Sequence, residues 1–187
     1  MFDERLPKIK PVQPKTTMYY IYSLITAPGV VLHELGHAIF CIFSGVRIHR
    51  IKLFQFGKIA GFVEHEEPHK FYQAVLVSFG PLILNSLVTL LAFSQITLIP
   101  FNQSSFLHPK ILILAWLGIV SGLHAIPSFG DAKTLLSITN TKIWRNPFKI
   151  LGFPLILLLY FLNLLKRWHI HFLYTAFLIW LGSVYLK

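Results

Sequence analysis

His33, Glu34 and His37 fall in one short stretch, His33-Glu34-Leu35-Gly36-His37, inside an apolar run. On a helix, residues four apart share a face, so both imidazoles can reach one metal ion, and Glu34 falls beside the water that the ion would activate. Two imidazoles, a general base and an open position for water are the parts of zinc hydrolysis. In a membrane helix each such side chain costs on the order of 2.5–3.5 kcal/mol at the bilayer centre, so the group needs a compensating partner, which a metal supplies. The competing reading is a polar helix face packed inside a bundle, with Glu34 paired to a histidine.

A hydrolytic zinc site usually has a third protein ligand. The chain has seven acids. Asp3 and Glu4 lie in a proline-rich tail, and Glu64, Glu66 and Glu67 lie in a mixed-charge run that suits solvent. Asp131 differs, because it follows an apolar segment through His124, Pro127 and Gly130, which can bend it back toward the histidines. Two roles are open for it: third ligand, or cap of a following helix over 132–136. Gly80, Pro81 and Asn85 form a further constellation. Glycine permits close helix approach, proline loosens a backbone hydrogen bond, and Asn85 can donate to a substrate carbonyl or a developing oxyanion. The alternative for Asn85 is an interhelical hydrogen bond without a catalytic part.

The elements that must position these residues are apolar runs. They cover about 19–43, 71–99, 111–126, 150–165 and 168–186, several of them near the roughly 20 residues that cross a hydrocarbon core of about 30 Å. The expected fold is an all-α integral membrane protein of about five transmembrane helices, the last two forming a C-terminal helical hairpin over 148–187. A short β-hairpin at the membrane surface should follow the first helix. There, apolar residues from Val46 to Val63 interleave with Arg47, Arg50, Lys52 and Lys58 around a turn signal at Gly57-Lys58. An irregular basic loop is the competing reading. His37 lies about 10 Å from the end of the first run near Ser44, and Gly80 about 14 Å into the second, comparable depths.

Composition agrees: 55% hydrophobic and 13% charged is too little polar surface for a soluble domain of 187 residues. A net charge of +10 can signal nucleic acid, but the basic residues sit between apolar runs, so no nucleic-acid partner is expected. Lone Cys41 excludes an intrachain disulfide. Basic residues concentrate in 46–70 and 127–149, which places those loops in the cytoplasm and the site toward the cytoplasmic side; Arg5, Lys8, Lys10 and Lys15 in the polar tail, 1–17, argue the other way. The chain reads as a single membrane domain, 1–187.

In order along the chain, His33-Glu34-x-x-His37, Gly80-Pro81-x-x-x-Asn85 and a proline-containing turn ending at Asp131 resemble the site-2 protease family of intramembrane zinc metalloproteases. The resemblance covers roughly residues 25–135, with a core of three helices and the hairpin over 19–135. It implies one Zn2+ per chain held by His33, His37 and Asp131, with Glu34 catalytic. It also implies cleavage of membrane-spanning or membrane-associated proteins, the hairpin closed by Gly61-Phe62-Val63 holding the substrate as an added strand. Two positions depart from the family's pattern: His124 and Ala132 stand where an asparagine and a glycine are usual. His124 can take over the asparagine's polar role or replace Asp131 as ligand. With no inserted PDZ-like domain, regulation is expected from a separate membrane protein. The expected location is the plasma membrane of a prokaryote.

Two other functions fit the same residues. One is a catalytically inactive regulator that binds metal or helices on this scaffold, against which the intact Glu34 counts. The other is a metal transporter using His33, His37, His124 and Asp131, against which the lack of repeated halves counts.

Overall fold

Helix α1, Thr17–Ser44, runs 28 residues and ends where Gly45 takes the left-handed conformation at φ 72°, which lets its amide reach back to the last carbonyls. The chain then forms an antiparallel pair, β1 (Ile48–Lys52) and β2 (Phe62–His65), followed by α2, Phe71–Thr97. Helices α3 (Pro109–Leu123), α4 (Phe129–Asn140), α5 (Gly152–Lys166) and α6 (Ile170–Tyr185) complete the element order. The structure is a computed structural model that describes residues 16–57, 59–99, 108–140, 150, 152–166 and 168–185. Most of the polar tail and of the 100–110 loop, together with Lys142, Arg145 and Lys149, lies outside the described residues.

Among the described residues the protein is mostly helical with one small two-stranded sheet. Two helices, α1 and α2, are long and apolar enough to cross a membrane. Helices α3, α5 and α6, at 15, 15 and 16 residues, are shorter than the sequence expectation of spanning segments. They reach about 22–24 Å at 1.5 Å per residue.

Helix α2 is the central element and packs against α1, α3, α4 and α6. Its contact with α1 is backbone to backbone: a Cβ at Gly36 would stand 2.7 Å from the Cα and N of Pro81, and one at Gly80 would stand 2.7 Å from the Gly36 carbonyl oxygen. Only glycine allows this approach, and it brings the face of α1 that carries His33 and His37 against α2. On another side of α2, Ala74 packs with Ala132, Leu135, Ile156 and Leu159, which fastens α4 and α5 to it.

Three expectations are modified. The third apolar segment ends as helix at Leu123, because Pro127 disfavours helical geometry just before it. A separate helix, α4, then occupies part of the segment read as a cytoplasmic loop. The two C-terminal helices do not form a close hairpin: α6 packs mainly on α2 and α3, and α5 mainly on α4. The reason lies in their buried faces, Thr175, Leu178 and Gly182 on α6 and Ile156 and Leu159 on α5. The strands form as expected, and Gly57 falls in the connection between them, while Lys58 of the turn signal lies outside the described residues. That connection is pinned to the start of α1 by the Tyr19 hydroxyl, which donates to the Gly57 carbonyl at 2.6 Å and accepts from its amide at 3.1 Å.

Candidate metal centre

His33 and His37 project from adjacent turns of α1 with ring centroids 5.1 Å apart. Each ring uses Nδ1 to donate to a carbonyl on a different element. His33 donates to the His124 carbonyl oxygen at 2.7 Å, and His37 donates to that of Val77 at 2.9 Å. The His124 carbonyl is available because His124 is the C-cap of α3, beyond the last helical turn. With Nδ1 occupied, Nε2 is the nitrogen left for a metal, the arrangement in which a histidine ligand is fixed by its second hydrogen bond.

Asp131 is the third residue of α4, which begins at Phe129, and a neighbour of the histidines. Ser128 precedes α4, and Ser128-x-x-Asp131 has the spacing of a capping box. The backbone N and the Oγ of Ser128 donate to Asp131 Oδ2 at 2.6 and 2.7 Å, and the Asp131 amide donates to Ser128 Oγ at 3.4 Å. Ser78 of α2 donates to the Asp131 backbone carbonyl at 3.1 Å. These bonds occupy one carboxylate oxygen and leave Oδ1 turned toward α1, 3.3 Å from His37 Nε2. Asp131 thus lies inside α4 and does not cap a helix over 132–136 as the sequence allowed, and its second oxygen is left free to meet a metal.

One ligand atom each from His33, His37 and Asp131 lies within 4.8 Å of the others, so the group can hold a metal ion. The donor chemistry fits zinc: two imidazole nitrogens and one carboxylate oxygen leave a fourth tetrahedral position open. The 3.3 Å between His37 Nε2 and Asp131 Oδ1 matches the edge of a tetrahedron with bonds near 2.1 Å, which is about 3.4 Å.

Glu34 is buried and, with His33, lines an open cavity of about 270 Å³ whose other walls are Val30, Ala60, Gly61, Leu123, His124, Ile126 and Ser128. Gly61 passes directly over the carboxylate stem: a Cβ there would stand 2.7 Å from Glu34 Cγ and 2.7 Å from the Leu53 carbonyl oxygen. His124 therefore touches the site through its carbonyl on His33 and through the cavity wall. Asn85 does not line this cavity. It is fully buried, its Nδ2 donates to Pro81 O of its own helix at 3.1 Å, and its Oδ1 has no hydrogen-bond partner among the described residues. Gly80 and Pro81 form the α1–α2 contact described above.

Four contributors were not singled out from the sequence. Val77 lies four residues before Pro81, and Ser128-x-x-Asp131 is a recognisable cap pattern, so both carried a local signal. Ser78 had none. Asn163 of α5, whose Nδ2 donates to Pro127 O at 3.1 Å and Leu159 O at 2.8 Å, anchors the turn that precedes Ser128. That link joins residues 36 apart and leaves no local trace in the sequence.

Fold and site together define a mostly helical protein in which a half-buried histidine, a buried histidine and an aspartate are able to hold a metal ion. No protein-family model, curated protein or solved structure matches the chain.

Proposed function

We propose that this chain is a zinc-dependent intramembrane endopeptidase of the site-2 protease type, acting on membrane-spanning or membrane-associated proteins. The observation that carries the reading is the convergence of His33, His37 and Asp131 within 4.8 Å, from two separate helices, beside a cavity lined by Glu34. A polar face paired only within its own helix would not require an aspartate from nearly a hundred residues away.

The membrane setting is supported by an inverted distribution of polarity. Large apolar side chains such as Leu24, Ile42, Phe43, Leu87, Ile113, Leu157, Leu173 and Phe177 are exposed, whereas Glu34, His37, Gln73, Ser78, Asn85, Thr89, Ser121 and Asn163 are buried. Water would disfavour that outer surface, and a bilayer would accept it while the polar groups inside bond mostly to backbone carbonyls. We read α1 and α2 as spanning helices and the three shorter apolar helices as completing a multi-pass bundle, in a prokaryotic plasma membrane with the site toward the cytoplasm.

When bound, the metal would supply Lewis acidity, polarising a peptide carbonyl and acidifying water. His33 and His37, each oriented by a carbonyl, would hold it with Asp131. Glu34 would accept the proton of the attacking water and deliver it to the leaving amine nitrogen. Val30, Leu123 and Ile126 would give the cavity an apolar wall beside Glu34. The hairpin offers strand edges on which an unwound substrate can pair, and a separate membrane protein would supply regulation.

The test uses the full chain reconstituted in vesicles with a transmembrane substrate. Wild type should carry one zinc per chain and cleave, and Glu34→Gln should keep the zinc and lose turnover. Undiminished cleavage by Glu34→Gln overturns the mechanism. A wild-type chain that binds zinc yet cleaves no transmembrane substrate favours the regulator instead.

A further inference from the structure

We propose that Pro81 is a positioning residue for His37, acting through the Val77 carbonyl that it frees from the α2 hydrogen-bond ladder. The inference rests on the metal-site reading above and concerns how the second ligand is held.

Inside an α-helix the carbonyl of each residue accepts from the amide four residues later. Pro81 lies within α2 and has no amide hydrogen, so the Val77 carbonyl loses its regular partner. The proline ring also crowds that carbonyl and turns it away from the helix axis. An orphan carbonyl in a buried position is costly until something donates to it. His37 Nδ1 does so at 2.9 Å, and both His37 and Val77 are buried.

The contact between α1 and α2 explains why the donor arrives there. Gly36, the residue before His37, touches Pro81 itself, with room for no side chain between them. One proline therefore serves twice: its backbone forms the surface on which α1 packs, and its missing amide leaves the acceptor that the adjacent histidine needs.

His33 shows the same logic by other means. Its Nδ1 donates to a carbonyl at the C-cap of α3, which is spare because the helix stops. A bundle of regular helices has few unused carbonyls, and each histidine finds one, at a helix end for His33 and at a proline for His37. Nδ1 is thereby committed in both rings, and Nε2 of His37 faces Asp131.

The experiment compares full-length wild type, Pro81→Ala and Pro28→Ala in detergent. Zinc dissociation constants come from competition with a chromophoric chelator, and thermal unfolding is followed on the metal-free proteins. Pro28 is the control because it also lies inside a helix, on α1, but its missing amide would have served Leu24, an exposed residue nine positions before His33. Pro81→Ala restores the amide to Val77 and should weaken zinc binding about 10- to 100-fold. Its metal-free unfolding temperature should stay level or rise, because alanine favours helix. Pro28→Ala should bind zinc as wild type does. In wild type itself, the Nδ1 proton of His37 should exchange slowly with water in nitrogen-15 histidine spectra, and Pro81→Ala should lose that protection. The proposal is overturned if Pro81→Ala binds zinc as tightly as wild type, if Pro28→Ala loses as much, or if the wild-type ring proton exchanges freely. Failure of wild type to bind zinc at all overturns the metal-site reading itself and is distinct from these results.

Discussion

Asp131 Oδ1 stands 3.3 Å from His37 Nε2 while the other oxygen of the same carboxylate is held by Ser128. The helix cap thus fixes the rotamer that presents the ligand, and the geometry of α4's first turn becomes part of the metal site. Ser128→Ala removes the hydroxyl that donates to Oδ2 and accepts from the Asp131 amide, leaving the backbone donor in place. Loss of the cap should cost about 1 kcal/mol in metal-free stability. Zinc affinity should fall on the order of tenfold as Oδ1 loses its fixed aim. Thermal unfolding and a zinc titration measure the two effects separately, and an unchanged affinity would show that the cap does not orient the ligand.

Metal should stabilise the fold, since the ligands come from α1 and α4, which converge only when α1, α2 and α4 are assembled. Binding to the folded state alone adds about 2.7 kcal/mol at a free zinc concentration of 100 times the dissociation constant. Chelation should lower the unfolding temperature of wild type and zinc should restore it, whereas His37→Ala should unfold at one temperature with or without chelator. A chelator response that survives in His37→Ala would place the metal elsewhere.

A substitution at Gly61 should separate the proposed catalysis from metal binding. A methyl group there meets Glu34 Cγ at 2.7 Å and the Leu53 carbonyl at 2.7 Å, so Gly61→Ala must displace either the base or the hairpin. The nearest neighbours of that methyl group are Glu34, Leu53 and Lys52, and His33, His37 and Asp131 are not among them. Turnover should fall on the order of 100-fold, the size of effect that follows from displacing a reacting group by about an ångström, with the zinc dissociation constant unchanged. Equal losses in both quantities would mean that the hairpin supports the metal site as a whole.

The parts of the site that sit close together in sequence were legible there. His33, Glu34 and His37 announce their geometry through helical spacing, and the scarcity of acids singled out Asp131. His37 and Gly80 could be matched by depth, and Gly36, the residue before His37, meets Gly80. Helix boundaries were less legible, because hydropathy reports an apolar run and not where its backbone bends: the run over 111–126 gives way to a cap at His124 and a new helix from Phe129. Partners held by backbone carbonyls were hidden for a different reason. The carbonyls on His33 and His37 belong to His124 and Val77, whose side chains take no part in those bonds, so residue type says nothing about them. Asn85 was read toward the site by its motif, but its amide is spent on the Pro81 carbonyl one turn back.

The α1–α2 contact should couple stability to metal affinity, and a pair of glycines distinguishes this from packing in general. Gly36→Ala drives a methyl group to 2.7 Å from the Cα and N of Pro81, backbone atoms that cannot rotate away. The helices must separate, at a cost of about 1–3 kcal/mol. Even a few tenths of an ångström lengthens the 2.9 Å bond between His37 and Val77, so zinc affinity should fall together with the unfolding temperature. Gly118→Ala is the comparison: its methyl group meets the Phe93 ring at 2.8 Å, a side chain that can turn, on a contact between α3 and α2 that holds no ligand. It should lower the unfolding temperature less and leave zinc affinity at the wild-type value. If both variants lose affinity alike, close approach at Gly36 is general packing and does not specifically seat the second ligand.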